Sequence, residues 1–137
     1  MKKRIAIGSD HRGFDVKKKL IDHLFNDVDI EWQDIGTFTD ERTDYPPFAQ
    51  EVARLVAEGA ADLGILSCGS GIGIAVAANR YKKIYAGVVW NTQVAQMAKE
   101  DDNINILVIP ADFVTFEEAI EITQAWLSST FKKGRYQ

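Results

Sequence analysis

Across 137 residues the chain has one cysteine, two histidines and three prolines, and it nowhere approaches the roughly 18 consecutive apolar residues that a membrane span requires. A lone cysteine permits no internal disulfide. It fits a reducing compartment, so a cytoplasmic protein is expected, and it leaves one free thiol to explain. An excess of positive charge is also missing: 16 Lys and Arg stand against 20 Asp and Glu, for a net charge of −4. With the lysines scattered rather than gathered into a stripe, neither nucleic acid nor a membrane is an expected partner. The start, Met1-Lys2-Lys3-Arg4, resembles the basic end of a signal peptide. Its apolar run reaches Asp10-His11-Arg12 too soon for that, and the segment reads as a strand.

Apolar residues make up 46% of the chain, enough for one substantial core, and a single domain over 1–137 is expected. Short β-rich runs at 4–9, 30–35, 63–67, 85–89 and 104–109 alternate with helical patterns. That order predicts an α/β fold around a five-stranded parallel sheet. Phe14, Leu20, Ile21, Leu24 and Phe25 stripe a first helix, leaving Lys17, Lys18 and Lys19 on a mostly solvated face. Phe48, Val52, Leu55 and Val56 stripe a second. Helices at 72–79, 92–99 and 116–127 complete the set. The long polar connection 36–45 ends at Pro46-Pro47, and a loop of that length in a small domain often serves a site. The tail 128–137 has little to bury and is expected to lie across a surface, a partner subunit's included.

Ligands of open parallel sheets bind beyond the carboxyl ends of the strands. Ser9-Asp10-His11-Arg12-Gly13 and Cys68-Gly69-Ser70-Gly71-Ile72-Gly73 fall there, while Asp101-Asp102-Asn103 precede the last strand. Three motifs fail on the glycine-rich segments. Ile74 stands where a dinucleotide fingerprint needs a small residue, Phe14-Asp15 replaces the Lys-Ser/Thr of a Walker loop, and Ile74 also occupies the arginine position of a cysteine phosphatase. What remains is a turn at a helix N-terminus, whose N–H groups and dipole favour negative charge. There the Cys68 thiolate should be stabilised toward neutrality. A thiolate beside an oxyanion cradle suits removal of a proton from carbon next to a carbonyl. Equally, Cys68 is read as a small buried hydrophobe at a strand end. Asp10 and His11 suit sugar hydroxyls or a phosphate, or else a helix cap with an exposed imidazole beside it. Tyr45 reads either as a lid or as packing beneath Pro46. His23 is expected to be solvated, and Trp32, Trp90 and Trp126 to fill core or interface.

The chain resembles the type B ribose-5-phosphate isomerases and their galactose-6-phosphate isomerase relatives, the RpiB/LacA/LacB family. The likeness rests on Ile7-Gly8-Ser9-Asp10-His11-Arg12-Gly13-Phe14, Glu41-Arg42-Thr43-Asp44-Tyr45-Pro46, the 64–73 segment with Ala77-Ala78-Asn79, and Ala125-Trp126-Leu127 with Gly134-Arg135. It implies a Rossmann-like three-layer αβα sandwich, a homodimer or dimer of dimers with sites at the interface, and isomerisation through an enediolate with neither metal nor cofactor. By the same resemblance Cys68 moves the proton between C1 and C2, Ser70 helps exchange protons between the oxygens, and Gly69, Gly71, Ile72 and Gly73 hold the enediolate. Asp10 and Tyr45 contact hydroxyls, His11 and Arg135 grip the phosphate, Arg135 reaching from the partner, and Arg12 completes the substrate set. The chain departs from the family where Asp101-Asp102 replaces a ring-opening histidine and its asparagine, where Asp112 replaces a frequent arginine, and where the chain stops before a second tail arginine. Asp101 is then expected to carry protons and Asp102 to line a modified substrate site. Alternatives are a different or unphosphorylated sugar, or a catalytically silent family member that binds a sugar phosphate for regulation or pairs with a competent homologue.

Overall fold

A computed structural model describes residues 2–24 and 29–132. Its five strands are β1 (Lys3–Ser9), β2 (Ile30–Gly36), β3 (Leu63–Cys68), β4 (Ala86–Val88) and β5 (Ile106–Pro110). All neighbours pair in parallel, in the order β2-β1-β3-β5-β4. The helices are α1 (Phe14–Leu24), α2 (Pro46–Ala57), α3 (Ile72–Ala78), α4 (Thr92–Asp102) and α5 (Phe116–Ser128), with a short 3-10 turn at His11–Gly13. One apolar cluster, built on Ile5, Ile7, Ile65, Leu107 and Trp126, lies under α1, α4 and α5. The other, with Ala6, Val52, Leu66, Ile74 and Val108, lies under α2 and α3. The result is the expected three-layer αβα sandwich.

Differences from the expected elements have local causes. Helix α2 begins at Pro46 rather than near Phe48, because proline is tolerated in the first turn, where no intrahelical N–H bond is owed. Helix α4 runs through Asp102 and stops where Asn103 takes a left-handed conformation, with its N–H donating to Lys99 O at 3.2 Å. Strand β5 starts at Ile106 and runs through Pro110. Edge strand β4 covers only Ala86–Val88.

The solvated face assigned to the lysines of α1 is corrected at Lys17, whose side chain is only 3% exposed. Its Nζ bonds both carboxylate oxygens of Asp34 on β2, at 2.7 and 2.9 Å, and lies over the rings of Phe14 and Phe38. A lysine this deep is tolerated because its charge is paired and its stem packs on apolar groups. Trp126 is fully buried and Trp32 half-buried, whereas Trp90 is 54% exposed.

The chain leaves β1 toward β2 on one side and reaches β3 on the other. The strand order therefore reverses between β1 and β3, and a crevice opens beyond their carboxyl ends. Residues 10–13, 68–73 and 111–112 meet there.

Candidate active site

Cys68 closes β3, the central strand, whose six residues are all buried. Cys68 pairs with Pro110 of β5, one residue past the end of the β1 ladder at Ser67, which makes it a rigid mount for a reactive group. After it the chain turns sharply: Gly71, at φ +78°, sits in the left-handed region that glycine enters without steric cost. The Gly71 N–H donates to the sulfur, 3.2 Å from Sγ. The N–H groups of Ser70 and Ile74 also point to the sulfur. Ser70 Oγ accepts the Ile72 N–H at 3.2 Å. The turn expected to offer its donors to an enediolate thus spends several of them on the thiol and on Ser70.

The titration of Cys68 is a second correction. Burial pushes the thiol above its ordinary value, and this outweighs the three N–H donors that act the other way; the Asp10 carboxylate adds to the rise. The turn's donors still act on the sulfur, but Cys68 is 5% exposed and desolvation is the larger effect. The thiol keeps its proton at neutral pH, so alkylation by iodoacetamide is expected to accelerate only as pH rises through the elevated thiol value. Replacing Asp10 by asparagine removes a nearby negative charge and moves that profile to lower pH. An unmoved profile in Asp10→Asn, measured by rates across the alkaline range, would contradict this electrostatic reading.

Asp10 is buried at the end of β1 and caps the 3-10 turn, accepting the N–H groups of Arg12 and Gly13 at 3.0 and 3.1 Å. His11 is clamped by the 37–45 loop: its Nδ1 lies 2.9 Å from Thr43 O and 3.1 Å from Thr43 N. Tyr45 reaches the same place from the start of α2. A Cβ at Gly73 would stand 2.6 Å from the Tyr45 hydroxyl, so the phenol rests directly on the first turn of α3. Tyr45 stands beside Pro46 and walls an open groove of ≈ 530 Å³ with Gln50, Gly73, Val76 and Arg80. That volume suits a small polar metabolite.

Other expected residues are not brought to Cys68. Asp101 and Asp102 end α4 and line a hollow with Tyr85, Ala86 and Ile104, at the amino ends of β4 and β5. Within one chain this is the far end of the sheet. Arg135 lies outside the described residues. Where the tail is described it returns to its own subunit, with Lys132 Nζ 2.8 Å from Glu100 Oε1. His23 is exposed, as expected. Sequence reasoning gave Asp112 no partner, yet it forms an ion pair with Arg12. Only its position directly after a strand hinted at this. Among the described residues, no three His, Cys, Asp or Glu side chains are grouped to hold a metal ion.

The site's likeness to known proteins extends over the chain. The Ribose/Galactose Isomerase family matches residues 5–137. Ribose-5-phosphate isomerase B of Escherichia coli is 42% identical over 98% of this chain and 90% of its own. The crystal structure of the Thermotoga maritima ribose 5-phosphate isomerase superposes with a TM-score of 0.94 at 39% identity, over 98% of this chain and 92% of that one. The Mycoplasma genitalium ribose-5-phosphate isomerase B, crystallised with bound ribulose-5-phosphate, gives 0.92 at 39% identity, covering 98% and 90%. Three-layer architecture, a cysteine held at the central strand's end and a match along nearly the whole sequence agree, and the chain belongs to the ribose/galactose isomerase family of sugar-phosphate aldose–ketose isomerases.

Proposed function

We propose that this chain interconverts an aldose phosphate and a ketose phosphate of the ribose 5-phosphate and ribulose 5-phosphate type, with Cys68 moving the proton. The observation that carries the reading is the Cys68 thiol at the crevice, fixed by the Gly71 N–H at 3.2 Å. As thiolate, Cys68 takes the proton from C2 of the open-chain aldose; the electron pair moves to the carbonyl and leaves an enediolate; the thiol then returns the proton to C1, giving the ketose. Ser70 stands beside it to pass a proton between the O1 and O2 oxygens, its Oγ still able to donate while it accepts from Ile72. Asp10 and Tyr45 orient hydroxyls, His11 takes the phosphate, and the backbone of Gly69, Gly71, Ile72 and Gly73 walls the reacting end.

Asp101, Asp102 and Arg135 serve this site only if a second copy delivers them, and a cytoplasmic homodimer is part of the proposal. Its support is the exposed apolar pair Ile72 and Val76, one helical turn apart on α3 beside Cys68. Incubation of the pure protein with a panel of aldoses and aldose phosphates tests the function. Ketose formation is expected, fastest with a pentose 5-phosphate. No ketose from any member of the panel would overturn it.

A further inference from the structure

The ion pair between Arg12 and Asp112 stands at the mouth of the site, and its surroundings are unusually specific. Its two side chains are 56% and 37% exposed. Pairs so open to water contribute little to stability, because solvent screens them and ordering two side chains costs entropy. Its position therefore needs another explanation, and the backbone supplies one.

The turn after β5 is laced to the turn after β3: Ala111 N–H donates to Cys68 O at 2.8 Å and Asp112 N–H to Gly69 O at 3.0 Å. Arg12 is rooted in the 3-10 turn that Asp10 caps. The two side chains meet over Gly69. A Cβ there would lie 2.6 Å from Arg12 Cζ and 2.8 Å from Asp112 Oδ2, so the pair fills the room left by the missing side chain. An arginine fork aimed at a crevice is suited to seize a phosphate or carboxylate in two places. Here a carboxylate of the chain itself already sits against that fork, next to the residue that does the chemistry.

We infer that Asp112 is a specificity-determining residue: by pairing with Arg12 across the Gly69 peptide, it withholds that guanidinium from an anionic group on the substrate. Selectivity for the phosphate is then set by competition between Asp112 and the ligand for one arginine. The inference rests on the sugar-phosphate reading of the site and deepens it.

Inorganic phosphate, titrated calorimetrically into the full chain, is the probe. Asp112→Asn is expected to bind it about tenfold tighter than the unaltered protein, the scale of one released charge-assisted contact. Adding Arg12→Gln should abolish the gain, whereas a general effect of removing one negative charge would survive it. In turnover, Asp112→Asn should lower KM for ribose 5-phosphate with little change in kcat, and leave KM for free ribose alone. Unchanged or weaker phosphate affinity in Asp112→Asn, or a gain that persists in the double variant, would overturn the inference. Asp112→Ser serves the same cycle should the asparagine variant fold poorly. Phosphate binding needs no catalysis, so absence of turnover on every sugar would sink the functional reading and leave this result standing.

Discussion

Cys68→Ala is expected to lower kcat for the aldose–ketose interconversion by about a hundred- to ten-thousand-fold, with KM little changed. The sulfur sits at the end of a fully buried strand, and its loss removes one atom without disturbing the turn's glycines. The effect should therefore fall on the chemical step, since binding is assigned to Asp10, His11 and Tyr45 in other elements. Cys68→Ser should recover little of the loss, because a hydroxyl holds its proton far more firmly than a thiol does. Because burial raises the thiol's pKa, the competent thiolate is a minority species at neutral pH. Activity should climb on the alkaline side for the same reason that alkylation does.

Much of this could be read from residue order. Strands β1 and β3 are near-continuous apolar runs, as strands covered on both faces must be, and Cys68 followed by three glycines marked the turn. What escaped depends on contacts between distant segments. Lys17 stands three residues after Phe14 and four before Ile21, inside the apolar stripe, so helical spacing alone implies its burial; what the spacing does not show is the partner, Asp34 on another element, that pairs its charge. A helix N-terminus suggested a lowered thiol pKa, yet the sign is decided by how much water reaches the sulfur, and periodicity does not encode that. Arg12 and Asp112 are a hundred positions apart, and only the parallel register of β1, β3 and β5 makes them neighbours. Asp101 and Asp102 were legible as an acidic helix end; that this end lies away from Cys68 follows from the topology.

The second large effect is expected at Gly71. A side chain there meets two obstacles. Its φ of +78° is costly for any other residue, and a Cβ would stand 3.1 Å from Val108 Cγ1 and 3.2 Å from Val88 Cγ1 in the packed sheet face. Gly59 provides the comparison, because its φ is +79° with nothing within 4 Å of the added carbon. Gly59→Ala should thus show backbone strain alone, about 1–2 kcal/mol in urea unfolding, and should leave kcat intact. Gly71→Ala should lose more stability than that, since valines anchored in β4 and β5 must shift. It should also lose activity by about a hundredfold, because the Gly71 N–H no longer aims at Sγ. Equal stability losses with full activity in both variants would mean that the turn after Cys68 is not shaped for the thiol.

Solvent exchange in deuterium oxide tests the role of Cys68 most directly. When ribose 5-phosphate is incubated with the unaltered protein and recovered, proton magnetic resonance should show deuterium at C2, placed there as the thiol exchanges its proton with solvent during reversal. Cys68→Ala should leave C2 fully protonated over the same period. Deuterium entering C2 at an undiminished rate in that variant would contradict the assignment of Cys68 as the proton carrier.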